Sequence, residues 1–198
     1  LPRDETLSYP QGGSLPVKKI MTAVSLAAFL FAGVAASAQT QPLVLPAAEA
    51  WVDVDGVTGA TEYPVTAEAG KMKLRLSRDA DTVFAALSGE TTGWVAVGFG
   101  SLKMDGSLML IGFVSADGKA QLKIQRGKGR SHADVESDAL IQFAMKETGG
   151  VTTLELALKA SSIIGKGATE LPVIFAMGGA DSFTTPHRAR GSQQVKLQ

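Results

Sequence analysis

Two side chains whose lone pairs suit iron lie in different predicted loops of this sequence. Met104 follows the apolar stretch 93–99, and its polar and flexible neighbours predict a loop rather than a core strand. His187 is one of only two histidines in the 198 residues, and it lies in the irregular segment 178–191. A thioether and an imidazole are a known pair of axial ligands to haem iron. The two residues are therefore candidate metal ligands, although an exposed Met and a solvated His are the commoner roles for each alone.

Charged and aromatic residues near these two could complete such a site. Arg188 and Arg190 follow His187, and guanidinium groups pair well with carboxylates such as haem propionates. Trp94 and Phe99 are either part of the apolar surroundings of a porphyrin or ordinary core residues. His132, in the polar segment 126–137, is the alternative nitrogen ligand, and its simpler interpretation is a polar loop residue.

The composition excludes several other kinds of site. The chain has no cysteine, which excludes disulfides, iron–sulfur clusters, zinc thiolates and covalently attached haem c. Its 19 basic and 19 acidic residues give no electrostatic footprint for nucleic acid or for an anionic membrane surface. The sequence contains neither a phosphate-binding loop nor a G-x-S-x-G nucleophile motif. We therefore expect no nucleic-acid partner and no catalytic residues.

Short segments with alternating polarity, separated by turn residues, predict an all-β fold. In the segment 71–78 the side chains of Met72, Leu74 and Leu76 fall on one face, and charged residues fall on the other. About ten such strands, one helical turn near 160–164 and no internal repeat indicate a single antiparallel β-sandwich. The predicted strands include 71–78, 82–87, 94–99, 108–114, 120–125, 139–145, 151–158, 171–177 and 192–197.

The N-terminal region has the pattern of a secretory signal peptide at 17–38. Lys18 and Lys19 precede the charge-free run 20–34, and Ala36-Ser37-Ala38 forms an A-x-A cleavage site. The run is short for a membrane span, so an uncleaved anchor is the less favoured alternative. We expect export to the periplasm or secretion, with no stable membrane insertion after cleavage.

The remaining segments divide the chain further. Residues 1–16 carry charges and a proline that do not belong to a leader, so we interpret them as an over-extended start, with translation beginning at Val17. The Pro- and Ala-rich residues 39–48 are predicted to be a flexible lead-in, and 49–198 to form the sandwich.

From about Trp51 to Leu197 the chain resembles the DOMON family, in particular its haem-binding cytochrome domains. Four features carry the resemblance: a Gly-Trp strand ending in Gly-Phe, a Met loop, an acidic residue inside an apolar strand, and a terminal His followed by Arg-Gly. Here they are 93–99, Met104 with Asp105-Gly106-Ser107, Thr153-Leu154-Glu155-Leu156, and His187-Arg188-Ala189-Arg190-Gly191.

The resemblance implies a non-covalent haem b whose iron is held by Met104 and His187. It implies an exported cytochrome domain that passes single electrons between redox partner proteins and is not itself an enzyme. The family also contains domains assigned to sugar binding, so the alternative is a carbohydrate-binding DOMON module without haem.

Overall fold

The computed structural model describes residues 42–48 and 51–198, which form two β-sheets packed face to face. The predicted leader 17–38, its cleavage site and the segment 1–16 lie outside the described residues. The described elements are β1 (Leu43–Leu45), β2 (Val65–Ala69), β3 (Met72–Arg78), β4 (Thr82–Gly89), β5 (Val95–Phe99), β6 (Leu108–Val114), β7 (Ala120–Lys128), β8 (Ser131–Asp134), β9 (Leu140–Thr148), β10 (Val151–Lys159), α1 (Ala160–Ile163), β11 (Glu170–Gly178) and β12 (His187–Leu197).

The predicted β-sandwich is confirmed, with twelve strands in the described residues rather than about ten. One sheet has seven strands in the order β1-β12-β11-β5-β6-β7-β8, and the other has five in the order β2-β3-β4-β10-β9. All pairings are antiparallel except that of β1 with β12, which is parallel. The residues of β1 fall in the predicted flexible lead-in 39–48, because a three-residue strand has too little alternation to be recognised.

Side-chain alternation builds the core between the two sheets. Leu74, Leu154 and Leu156 of the five-stranded sheet are fully buried and face Val97 and Leu110 of the seven-stranded sheet. At about 25 cal/mol per Å² of apolar surface removed from water, this continuous layer supplies the main driving force for folding. The chain has no cysteine, so no disulfide adds to the stability that this layer provides.

The central strands β5 and β6 are buried on both faces, as their uninterrupted apolar sequences predicted. β5 and β6 pair with each other, and on their other sides β5 pairs with β11 and β6 pairs with β7. Neither strand therefore lies at a sheet edge. Their inner faces join the main core. Their outer faces form a second apolar cluster that must be covered by something other than the second sheet.

Two segments that were predicted to be irregular contain strand. Residues 126–137 largely form the β7–β8 hairpin, whose tight turn is at Gly129 and Arg130. The last strand begins at His187 rather than near 192, so His187 lies at the start of β12 and not in a loop. Both segments are rich in charged residues because one face of each is exposed, and this polarity concealed the strands from the sequence analysis.

The outer face of the five-stranded sheet holds a buried carboxylate. Glu155, between two inward leucines of β10, is fully buried and accepts hydrogen bonds from the Tyr63 hydroxyl (2.8 Å), the Gly56 N–H (2.8 Å) and the Asp55 N–H (3.1 Å). Burial raises the pKa of Glu155, although these three hydrogen bonds oppose the shift. Burial and the bond to Glu155 also raise the pKa of Tyr63 far above its usual value, so its hydroxyl remains a donor. These bonds fasten the segment before β2 to the sheet.

We expect Glu155→Leu to lower the free energy of unfolding by about 1–3 kcal/mol for each buried donor that it leaves without an acceptor. Glu155→Gln retains an acceptor oxygen and should cost less. Urea unfolding monitored by circular dichroism measures both. Equal stability of the leucine variant and the wild type would contradict this role for Glu155.

Glu155 should also give the stability a pH dependence. Its folded pKa is raised, so above about pH 4.5 the unfolded chain loses a proton that the folded chain keeps, and wild-type stability should fall as pH rises through the folded pKa. Glu155→Gln cannot titrate and should lack this slope. Urea unfolding from pH 4 upward tests the difference, and parallel curves for the two proteins would contradict it.

Candidate functional site

The candidate site lies on the outer face of the seven-stranded sheet. Trp94, Ala96, Met109, Ile111 and Phe113 form an apolar cluster there and are only 5–8% exposed. The register places Ala96 opposite Ile111, and Met109 faces Gly98 across the same strand pair. Residues of β11 continue the same face. An apolar surface on the outside of a sheet is a strong indication of a bound partner or ligand.

A cavity of about 790 Å³ lies over this face, and its walls include both predicted iron ligands, Met104 and His187. The predicted alternative ligand His132 lines it as well, as do Trp94 and Arg190. The volume falls within the range of about 300–1,000 Å³ that is usual for small-molecule and cofactor sites. The structure therefore brings together residues from four separate parts of the sequence.

Small residues form the depression in the floor of the cavity. Ala96 and Gly98 on β5 lie beside Ala176 on β11, where larger side chains would fill the space. A Cβ atom at Gly98 would lie 2.8 Å from Ile174 Cγ1 and 2.9 Å from Met109 Cγ. Gly98 therefore allows these two side chains to close on each other, giving the floor a smooth apolar surface.

Met104 is held by backbone contacts to the β7–β8 hairpin. The Gly106 N–H donates to the Gly127 carbonyl (3.0 Å), and the Gly127 N–H donates to the Ser107 carbonyl (3.0 Å). The carbonyl of Met104 packs directly on Gly127, where any Cβ atom would collide with it. The Met104 side chain is half-buried against the outer cluster. Met104 is thus in a loop, as predicted, and this loop has a fixed position.

A β-bulge directs His187 into the cavity. Ala189 pairs with Met177, but His187 pairs with Gly178, so Arg188 is an extra residue on β12. Since paired residues share a face and Met177 points into the core, Gly178 and His187 point outward. Regular pairing would have placed His187 on the opposite face. This bulge had no recognisable signal in the sequence.

The two predicted arginines differ in position. Arg190 is opposite Ala176 on the outer face and lines the cavity. Arg188 lies over Gly179, where a Cβ atom would come within 2.5 Å of its Nε atom, and it is not among the side chains that line the cavity. Of the pair, only Arg190 is positioned to meet a ligand in this cavity.

The two aromatic residues predicted for the site, Trp94 and Phe99, lie on different faces of the seven-stranded sheet. Trp94 lines the cavity, and its indole N–H donates to the Thr185 hydroxyl (3.0 Å), which ties β5 to the loop before β12. Phe99 is 1% exposed within the main core between the sheets, away from the cavity. Trp94 directly precedes β5 and Phe99 ends it, and their odd separation of five residues puts them on opposite faces of the sheet.

Sequence reasoning missed much of the cavity wall. Met109, Ile111 and Ile174 were not among the predicted site residues, yet all three line the cavity. Phe183 packs against Phe113 with ring centroids 4.8 Å apart and closes part of the outer cluster. The sequence did contain one indication of this apolar outer face. β5 and β6 are apolar at both odd and even positions, so other residues or a ligand must cover both faces of these strands.

Within 42–48 and 51–198, no helix has the length and apolar character needed to cross a membrane.

Comparison with solved structures identifies similar folds. The cytochrome domain of Myriococcum thermophilum cellobiose dehydrogenase matches with a TM-score of 0.50 and 14% identity, over 68% of this chain and 82% of that chain. This chain has the fold of that cytochrome domain. The β-sandwich that the sequence resemblance implied is therefore matched by the fold of this structural neighbour.

Two other structures match less well. The cytochrome b domain of pyranose dehydrogenase from Coprinopsis cinerea has a TM-score of 0.48 and 10% identity, over 63% of this chain and 76% of that chain. A family 9 carbohydrate-binding module from Caldicellulosiruptor kristjanssonii, in complex with cellotriose, has a TM-score of 0.47 and 10% identity. The match covers 79% of this chain and 93% of that chain. Neither protein-family models nor curated protein sequences gave a match.

Gly127→Ala should displace the Met104 loop, because the new methyl group would collide with the Met104 carbonyl while the backbone angles of Gly127 remain ordinary. We expect faster hydrogen exchange in 100–107, measured by mass spectrometry, with the sandwich still folded. Gly165→Ala is the matched control, since its Cβ atom would meet open space. Unchanged exchange in Gly127→Ala would show that the contact does not hold the loop.

Proposed function

We propose that this chain is an exported b-type cytochrome domain that binds one non-covalent haem and passes single electrons between redox partner proteins. The observation that carries the proposal is that one cavity is lined by both Met104 and His187, which are 83 residues apart in sequence. In this proposal the domain works in the periplasm or outside the cell, and it is not an enzyme.

The chemistry of the cavity fits a haem. Its floor is apolar and made of the strand residues Ala96, Gly98, Ile111 and Ile174, which suits a flat hydrophobic ring. Its polar groups stand at the rim, where Arg190 and Arg130 are exposed. A porphyrin needs this division between an apolar face and anionic propionates that remain near solvent and cations.

The two candidate ligands reach the cavity from different parts of the fold. His187 stands on β12, at one side of the floor made by β11, β5 and β6. Met104 rests on Gly127 of β7, at the other side of that floor. Both side chains line the same cavity, so Met104 and His187 are the residues that would hold the iron of a bound haem.

Each residue then has a distinct part. The His187 imidazole would hold the iron firmly, and the Met104 thioether, a soft ligand, would favour ferrous iron and raise the reduction potential. Trp94 would exclude water from one wall, and Arg190 would pair with a propionate. Bound haem supplies reversible one-electron exchange. If Met104 and His187 both bound the iron, they would leave it no free position for substrate, which is why we propose a carrier and not an enzyme.

Carbohydrate binding is the alternative function. Sugar sites use exposed flat aromatic rings, but Trp94 is 7% exposed and Phe113 is 8% exposed, and the indole N–H of Trp94 is already bonded to Thr185. The floor of the cavity is apolar and neither Trp94 nor Phe175 of its lining is exposed, which favours a hydrophobic cofactor. Binding of cello-oligosaccharide by a colourless protein would favour the alternative.

The central test is reconstitution of purified protein with haemin. We expect one haem per chain and a low-spin six-coordinate absorption spectrum with a sharp reduced α-band. His187→Ala should weaken haem binding by more than about 10-fold, because losing even a group behind a metal ligand costs about 10–100-fold. A wild-type protein that stays colourless in the presence of haemin would disprove the proposal.

Arg190→Ala should weaken haem retention only modestly, by up to about 1 kcal/mol, because the guanidinium is exposed and its ion pair is screened by solvent. Lys196→Ala is the control, since Lys196 is an exposed cation on the same strand that does not line the cavity. Transfer of haem to apomyoglobin measures retention. Equal transfer rates for both variants and the wild type would show that Arg190 does not contribute to haem binding.

A further inference from the structure

The two histidines of the cavity stand on different sides of its floor. His187 is on β12, whereas His132 is on β8, beyond β7 at the other end of the sheet order. Neither histidine has a hydrogen-bond partner on its ring among the described residues, and both line the cavity. The two candidate nitrogen ligands, His187 and the alternative His132, therefore reach the cavity from different sides.

His132 instead lies beside Met104. It pairs directly with Gly127 across the β7–β8 hairpin, and paired residues point to the same face. Gly127 is the residue on which Met104 rests, and a Cβ atom there would lie 3.1 Å from Met104 Cγ. Directly opposed residues have Cβ positions about 4.5–5.5 Å apart, so the imidazole of His132 neighbours the Met104 side chain.

The contacts between the loop and the hairpin keep these two residues together. Besides the paired bonds at Gly127, the Gly129 N–H donates to Asp105 Oδ1 (2.7 Å) and Arg126 Nη1 donates to the Gly106 carbonyl (3.2 Å). These bonds flank Met104 in sequence. A thioether and an imidazole are thus held in one wall, facing the same part of the cavity.

We infer that His132 is a second ligand for the iron position that Met104 occupies, so that this wall can present either sulfur or nitrogen. The inference rests on the proposed haem function. Thioether sulfur favours ferrous iron, whereas imidazole binds ferric iron well, so the two donors differ in the oxidation state that they stabilise. His132 is then a reserve ligand that keeps the iron six-coordinate when the thioether is absent.

The test uses Met104→Leu, which keeps a side chain of similar volume in the outer cluster and removes the sulfur. After reconstitution with haemin, Met104→Leu should remain low-spin, with a lower reduction potential than the wild type. The double variant Met104→Leu/His132→Ala should become high-spin, and added free imidazole should restore the low-spin spectrum. Met104→Leu/Ser131→Ala is the matched control and should stay low-spin, because Ser131 bonds only the Lys128 carbonyl.

The outcomes separate the inference from the function on which it rests. A wild-type protein that takes up no haemin would remove the proposed function itself. A Met104→Leu variant that is already high-spin while the wild type is low-spin would overturn only the inference. Loss of the low-spin spectrum in His132→Ala alone would also overturn it, since His132 would then be the resident ligand.

Discussion

The structure depends on two strands that are apolar on both faces. β5 and β6 contribute Val97 and Leu110 to the core between the sheets, and their alternate residues Ala96 and Ile111 point outward. Because both faces of these strands are apolar, each face must be covered by other residues that exclude water. The five-stranded sheet covers the inner face. The Met104 loop and Phe183 cover only part of the outer face, and the remaining space is the cavity.

The residues that cover the outer face of the seven-stranded sheet pack closely against glycines of that sheet. Gly127 lets the Met104 loop rest directly on β7, and Gly178 lets the indole of Trp94 lie against β11. Gly98 allows the side chains of Ile174 and Met109 to meet over the floor. Each glycine brings two segments nearer than a methyl group would permit, so the walls are defined by backbone as much as by side chains.

The two outer faces of the sandwich are covered by different physical means. On the five-stranded sheet, Glu155 binds Tyr63 and two backbone N–H groups and so fastens the chain segment over it by polar contacts. On the seven-stranded sheet the cover is apolar and incomplete. Buried polar contacts specify one arrangement, because an unpaired group is costly, whereas an apolar surface accepts any hydrophobic partner of suitable shape. The open, apolar face is therefore the one that suits a cofactor.

The sequence alone determined the elements that follow from local pattern. Alternation predicted the strands and the sandwich, uninterrupted apolar runs predicted that β5 and β6 are central, and polar neighbours predicted a loop at Met104. Tertiary structure decided which side chains meet. The bulge at Arg188 turned His187 outward, strand alternation put Phe99 in the core, and pairing with Gly127 placed His132 beside Met104 rather than near His187. The direction of a side chain and the register of a strand depend on contacts between segments far apart in the chain. The local sequence pattern does not contain this information.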